Sequence, residues 1–561
     1  GEDHPEVART SGLLAKAAAQ AGQLEEAKKW SILQNDGYLR LAQAVRYSTS
    51  ERQRIQLLKS QRSAVDFGLT LHSDPEYDAQ TWQAVLTWKG SAGEVLMGQN
   101  ATLQGGDGDA AELYTNLTRV RAQIAAATLS KDMDPAARRF EITRLSDDKE
   151  ALERQAATLA KSLRVTALPS ATPARVCQAM GRGSALVDIL ARRQFDVAAP
   201  QAPTQTVYTA WVTDQKTCTV ERIELGDRAE IDVLIARWRD LVGSPQIATV
   251  RIDAAGESLR AAIWDPLKTA LGKASTVYIA PDGGLSEVAF AALPSEHGYL
   301  LEEYELVYLE NARDLLRFGT DPLEGEGAFL VGGIDYDADG TTGAMISMRD
   351  APCVAGSYDA LPGTLREVEE IEAKWQANLS REPVEVVTGG AATPRSVAAG
   401  APGRRLVHLA THGFFADPAC RSTLSTSDVD AEATIHNPMV LSGIVLAGAN
   451  HAGAQQSGEG IWTAEEVATL DLHDTELVVL SACETGLGVV RDGEGVLGLR
   501  RAFSQAGANA LIMSLWSVQD EATTALMGQF YDELLRKKRW SPGSALRRAQ
   551  PCRNNGEQPR P

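Results

Sequence analysis

A cysteine and a histidine stand at the tips of two short apolar runs. Cys483 follows Leu477 to Leu480 and Ser481-Ala482, and it precedes a glycine-broken turn, Glu484-Thr485-Gly486-Leu487-Gly488. His412 closes the run in RRLVHLATHGFF (Arg404 to Phe415) and is followed by Gly413. Runs this short favour buried strands over helices. In open α/β sheets the reactive groups sit beyond the carboxyl ends of the strands. Two parallel strands of one sheet would therefore deliver both side chains to the same edge. The chemistry available to such a pair is nucleophilic. A thiolate attacks, and the imidazole stabilises it or gives a proton to a leaving amine. Backbone N–H donors then hold the oxyanion. The N–H groups of Gly413 and Cys483 are the candidates, since a glycine beside the histidine permits close approach. Taken singly, a cysteine is a small buried hydrophobe and a histidine a structural hydrogen-bonder, so the surroundings must decide.

Three other patterns could carry chemistry and are set aside. Gly493-Glu494-Gly495-Val496-Leu497-Gly498 is a literal G-x-G-x-x-G. A dinucleotide fingerprint follows its strand directly, whereas about ten residues intervene here, and Glu494 would repel the pyrophosphate. The glycines are read as serving a tight turn, and no cofactor is expected. His408-x-x-x-His412 would share a helix face, but on a strand at about 3.3 Å per residue the two lie about 13 Å apart. No zinc spacing occurs elsewhere, so no metal is expected. The absence of G-x-S-x-G counts against a serine hydrolase.

The strands that must position the pair read as Ala328 to Gly332, Val384 to Val387, Arg405 to Ala410, Glu476 to Ser481 and Ala510 to Leu515. Helices begin at Thr364 and Gly495, and another follows from Glu521. Thr364-x-x-Glu367 and Thr463-x-x-Glu466 read as capping boxes. Strands alternating with helices predict a parallel sheet with helices on both faces. Upstream, Ala185 to Leu190, Val207 to Val212 and Thr219 to Leu225 read as an antiparallel set. Thr276 to Ala280 reads as a buried strand, and Ala254 to Leu271 as a helix kinked at Pro266. The segments 417–437 and 449–460 are long, polar and breaker-rich, as functional or disordered loops are.

With 561 residues the chain is long enough for two to four domains. Its net charge of −19 opposes binding to nucleic acid, which relies on neutralising phosphates. Six scattered cysteines without a C-x-x-C pair fit a reducing cytosol, so a cytoplasmic location is expected. No signal-peptide pattern is read, and no apolar run approaches 18 residues, so no membrane span is expected. A start at Gly1 rather than Met is what a cleaved end or a fragment would show.

At these residues the sequence resembles the CHAT peptidases, caspase-like domains joined to tetratricopeptide repeats, with separase among their relatives. The resemblance rests on HLATHG (His408 to Gly413), NPMVLSGIVLAGAN (Asn437 to Asn450) and WTAEEVATLDL (Trp462 to Leu472). ELVVLSACETGLG (Glu476 to Gly488), GEGVLGLRRAFSQAGA (Gly493 to Ala508) and SLWSVQDEAT (Ser514 to Thr523) complete it. It covers about residues 165–550 in family order. It implies a caspase-hemoglobinase-like α/β fold in which 321–550 is the catalytic half and 175–320 a non-catalytic half. Residues 1–165 are helical and Ala/Leu/Gln-rich. Within them AKAAAQAGQLEEAKKW resembles the end of one tetratricopeptide repeat, with Gly22 and Ala27 where its two helices touch. The polar tail 551–561 is expected to be disordered.

The resemblance further implies a cysteine endopeptidase acting on protein substrates through His412 and Cys483. It implies regulation by a protein or complex through the helical region. Separases cut after arginine and build their pocket from the segment leaving the last core strand. Asp520 is therefore the first candidate carboxylate for a basic side chain before the cut, with Asp492 and Glu494 as further candidates. The reading from another class is a catalytically idle scaffold that binds protein partners.

Overall fold

A computed structural model of the chain describes residues 4–45, 48–104, 106–129, 133–162, 171–244, 247–317, 323–338, 357–415, 438–451, 460–482, 486, 488–516, 518, 520–536 and 540–550. Seven helices come first: α1 (Pro5–Gln20), α2 (Leu24–Val45), α3 (Glu51–Leu71), α4 (Asp78–Trp88), α5 (Ser91–Gln104), α6 (Asp109–Leu129) and α7 (Pro135–Ser162). The first two form the expected pair. Gly22 turns the chain with a φ of 76°, Ala27 is buried, and a Cβ on Gly37 of α2 would meet Ala8 of α1 at 2.8 Å. Only small residues let the two backbones approach this closely.

The helical region is a structural layer of the body. A short helix, α8 (Pro173–Ala179), leads into β1 (Ser184–Phe195), β2 (Pro203–Asp214) and β3 (Val220–Asp227). Then come α9 (Arg228–Val242), α10 (Thr249–Ile263), α11 (Lys268–Leu271), β4 (Thr276–Ala280), a small hairpin of β5 (Pro294–Ser295) and β6 (Gly298–Tyr299), α12 (Leu300–Glu303) and β7 (Glu305–Tyr308). The first sheet has the order β3-β2-β1-β4-β7. Its β1–β3 part is antiparallel, as expected, and β4 and β7 add in parallel. Alternate residues of β1 face two cores. Ala185, Val187 and Ile189 pack with α9 and α10. Leu186 and Leu190 pack with Leu58 and Val65 of α3 and with Trp82 and Val85 of α4. On that second face Lys89 is buried and donates to Asp188 Oδ1 at 2.7 Å and to the carbonyls of Ile189 and Ala280. Pro266 divides the expected helix into α10 and α11.

The second sheet is built from β8 (Ala328–Ile334), α13 (Pro362–Asn378), β9 (Val384–Gly389), α14 (Pro394–Gly400) and β10 (Leu406–Ala410). A three-stranded sheet of β11 (Gly413–Phe415), β12 (Ser442–Val445) and β13 (Ile461–Thr463) follows, then α15 (Ala464–Val467) and β14 (Leu477–Ser481). The chain ends through β15 (Gly488–Arg491), β16 (Gly495–Gly498), α16 (Leu499–Gln505), β17 (Leu511–Ile512), α17 (Asp520–Arg536) and α18 (Pro542–Ala549). The order is β17-β14-β10-β8-β9, parallel throughout. Val407, Leu409, Val478 and Leu480 face α14, α15 and α16. Leu406, Ala410, Leu477 and Val479 face α13, α17 and α18. This is the two-faced α/β sheet that the strand and helix alternation predicts.

Three local expectations are corrected. The helix read from Gly495 begins at Leu499, because Gly495–Gly498 pairs with Gly488–Arg491 as a hairpin. Its turn uses Gly493 and Gly495 at φ of 77° and 78°. The capping box read at Thr364 and Glu367 does not form, because α13 starts two residues earlier, at Pro362. Thr364 Oγ1 instead accepts from Gly333 N and donates to the Leu361 carbonyl. The box at Thr463 and Glu466 does form. Cys177 and Cys218, expected as separate thiols, are joined in a disulfide with Cα atoms 5.7 Å apart. The expectation of separate thiols therefore does not hold for this pair. Among the described residues no helix is long and apolar enough to cross a membrane. The polar tail and most of both long loops lie outside the described residues.

Candidate active site

The carboxyl edge of the second sheet gathers the polar groups. Parallel pairing of β10 with β14 sets Ala410 against Ser481, and the Thr411 N–H donates to the Ser481 carbonyl at 3.2 Å. His412 is the next residue, where the chain turns out of the parallel sheet into β11. Its carbonyl accepts from Val445 N at 2.9 Å, which fixes the backbone at the turn. Cys483 lies outside the described residues. The chain is described to Ala482, whose carbonyl accepts from Ser514 Oγ at 2.5 Å. It resumes at Gly486, whose N–H donates to the Ser514 carbonyl at 2.8 Å. Ser514 thus bonds to the described chain on both sides of residues 483–485.

The imidazole of His412 is oriented. Nε2 lies 2.8 Å from the Asp359 carbonyl. A carbonyl only accepts, so Nε2 carries the proton, and Nδ1 holds the lone pair in the neutral ring. Tyr336 and Tyr358 pack beside the ring at centroid distances of 5.1 Å and 5.5 Å. The Tyr336 hydroxyl bonds to Thr411 Oγ1 at 3.0 Å, and burial raises its phenol above the ordinary range. Burial likewise pushes Tyr358 up to about 12. Both tyrosines are therefore neutral near pH 7 and act as walls. Asn450 fixes Tyr358 by bonding to its N–H at 2.8 Å and its carbonyl at 3.0 Å.

The other histidine of the motif has a different setting. His408 is wholly buried, with Nδ1 2.9 Å from the Tyr531 hydroxyl and Nε2 2.8 Å from Glu367 Oε1. It ties β10 to α13 and α17 beneath the sheet and does not reach the edge.

The three carboxylates considered for a basic side chain separate clearly. Asp492 pairs with Arg228 at 2.6 Å. Glu494 is 8% exposed and lies 3.6 Å from the buried Arg501, and burial raises its carboxyl. The Glu494 carboxyl is thus buried beside Arg501. Asp520 opens α17 and accepts from Gly363 N at 2.8 Å. It therefore caps the start of α13, where the capping box was expected. Its charge adds to the burial that raises the Tyr336 phenol.

Gly413 opens β11 opposite Ile444. Tyr336, Tyr358, Asp359 and Ser514 were not read from sequence. Tyr336 follows the tip of a predicted strand and Ser514 sits at the tip of another, so the strand-end rule could have flagged both. Asp359 contributes only a backbone carbonyl and leaves no side-chain signal. Among the described residues no group of three or more His, Cys, Asp or Glu could hold a metal.

The CHAT domain profile matches residues 253–560, more than half of the chain. The chain belongs to the CHAT-domain family. The match begins inside α10, so this CHAT protein carries its helical region and the β1–β3 strands upstream of the matched span. No curated protein matches its sequence. Among solved structures it is similar to the Saccharomyces cerevisiae separase-securin complex, with 8% identity and a TM-score of 0.39. That alignment covers 97% of this chain and 48% of the other, so the CHAT protein spans about half the length of that chain.

Proposed function

We propose that this protein is a cysteine endopeptidase with Cys483 as nucleophile and His412 as its acid–base partner. The observation that carries the reading is the shared sheet edge. Ala410 pairs with Ser481, and His412 and Cys483 each follow two residues later in their own segments, which supports a shared edge. His412 is held through Nε2 by the Asp359 carbonyl, which leaves Nδ1 for the thiol. The Cys483 thiolate adds to the scissile carbonyl carbon, and the π pair moves to oxygen. The N–H groups of Gly413 and Cys483 receive that oxyanion. Imidazolium then gives its proton to the amine nitrogen as the C–N bond breaks, and water hydrolyses the thioester.

The residue before the cut is basic in this reading, with Asp520 its carboxylate partner, since Arg pairs bidentately with such a group. Support comes from the electrostatic influence of Asp520 on Tyr336, which packs beside His412, and from the ion pairs that Asp492 and Glu494 make elsewhere. A protein substrate and a regulatory protein acting through the helical region complete the proposal. N-terminal profiling of a treated proteome tests it. New termini preceded by Arg or Lys are expected with the wild type and not with Cys483→Ala or His412→Ala. Identical profiles for all three proteins would leave the idle scaffold as the better account.

A further inference from the structure

Tyr336 and Tyr358 pack beside the His412 ring from two separate segments. Tyr336 follows β8, whereas Tyr358 lies in residues 357–361, which belong to no helix or strand. The carbonyl that receives the His412 Nε2 proton comes from the next residue, Asp359. A segment outside the sheets and helices has no ladder to fix its carbonyls.

One side chain takes over that task. Asn450 Oδ1 accepts from Tyr358 N at 2.8 Å, and its Nδ2 donates to the Tyr358 carbonyl at 3.0 Å. Both backbone polar groups of Tyr358 are thus met by one amide. The same Nδ2 donates to Asp337 Oδ1 at 2.9 Å, and the Asn450 N–H donates to the Tyr336 carbonyl at 2.9 Å. Asn450 therefore grips the chain beside both rings. Its own turn is seated on the exit of β8. Gly448, at a φ of 81°, donates from N to the Asp335 carbonyl at 3.1 Å, and His451 Nε2 lies 2.9 Å from the Asp337 carbonyl. A primary amide suits this place because it offers an acceptor and two donors in one plane, and a carboxylate lacks the donors.

We propose that Asn450 is a positioning residue for His412, a proposal that rests on the reading of His412 as the acid–base partner of Cys483. By holding Tyr358 on both sides, Asn450 aims the Asp359 carbonyl at Nε2. The neutral ring is thereby kept as the Nε2–H tautomer, with the Nδ1 lone pair left for the thiol. Asn450 acts through Tyr358 and Asp359 and takes no part in bond making or breaking.

Nitrogen-15 NMR of the imidazole groups in the full chain tests this. Spectra are taken at about pH 8, above the ordinary histidine range, with the His412 signals assigned by their absence in His412→Ala. Wild type should show the Nε2–H tautomer alone, and Asn450→Ala a mixture of both tautomers. Alkylation of Cys483 by iodoacetamide near pH 7, located by peptide mapping, should slow by about tenfold. Asp227→Ala supplies the control for a purely structural loss. Asp227 caps α9 by accepting from Ala229 N and Glu230 N, so its removal should lower the melting temperature and leave tautomer and rate as in wild type. If Asn450→Ala folds poorly, Asn450→Asp combined with Asp337→Asn keeps a bonded 337–450 pair and an acceptor for the Tyr358 N–H. It removes only the donor to the Tyr358 carbonyl, and the same tautomer shift is expected. A single Nε2–H tautomer in the folded Asn450 variants would overturn the proposal, as would an equal shift in Asp227→Ala. A tautomer shift with an unchanged alkylation rate would uphold the hold of Asn450 on the ring and count against the His412–Cys483 pair instead.

Discussion

His412 and His408 are the same residue type four positions apart, and their surroundings give them opposite roles. His412 stands at the edge with one nitrogen committed to a carbonyl, whereas both nitrogens of His408 are committed to buried partners. His408→Gln should therefore lower stability by about 1–3 kcal/mol, because Glu367 or Tyr531 is left without its partner in the core. Turnover per folded molecule should remain close to wild type, as urea unfolding and active-site-titrated rates would reveal together. A dead but fully stable His408→Gln would mean that the base has been misassigned. Glu466 offers a second test at this scale. Burial pushes its carboxyl from 4.5 up to about 7, so between those values the folded state holds a proton that the unfolded state has lost. The associated stability is fully present below about pH 4.5 and is lost as pH rises to about 7, an effect of about 3 kcal/mol. Glu466→Gln keeps a capping acceptor and removes the titration. Its melting temperature relative to wild type should rise between pH 5 and 8, and a constant difference would contradict the assignment.

Elements were legible where one signal dominated and illegible where two distant segments met. Thr276–Ala280 and Leu477–Ser481 were readable because β-branched residues in a short run have one stable use, a buried strand. The start of α13 was not readable, since its cap is Asp520, which lies 157 positions away in sequence. The hairpin at Gly488–Gly498 was hidden for a similar reason. Its tip is held by the rest of the molecule: Gly493 N donates to Asp282 Oδ1 at 2.7 Å, and a Cβ on Gly493 would overlap the Trp88 ring. No local pattern announces such contacts. The dual position of Asp520, as cap and as proposed pocket carboxylate, can be separated by Asp520→Asn. Asn caps about as well as Asp, so melting should change little. The preference for Arg or Lys over Leu before the cut should fall by about tenfold or more as the charged pair is lost. An unchanged preference in a peptide library would remove Asp520 from the pocket.

Across the whole molecule the helical region and the sheet edge are joined through buried charge. Arg121 of α6 and Lys149 of α7 both reach Glu465 of α15, at 3.4 Å and 2.6 Å, and Gly90 N bonds to the Gly493 carbonyl at 2.6 Å. The sequence foresaw helices before an α/β body, because composition and period report on each segment alone. That these helices cover one face of the first sheet was not foreseen, since burial of a helix face names no partner. Elements packed on both the helices and the hairpin are suited to carry a signal between them. The purified chain should accordingly cleave protein substrate slowly, with addition of an activating partner raising the rate. Full activity of the chain alone would refute control through the helical region.

The central claim is that one thiol, Cys483, is activated at the edge where His412 stands. Intact-mass measurement of the protein after treatment with a thiol-directed peptidyl probe bearing Arg at its terminal position tests it most directly. A single adduct on wild type is expected, absent in Cys483→Ala, strongly slowed in His412→Ala and retained in Cys353→Ala. Labelling that persists in Cys483→Ala, or that proceeds equally fast without His412, would contradict the account.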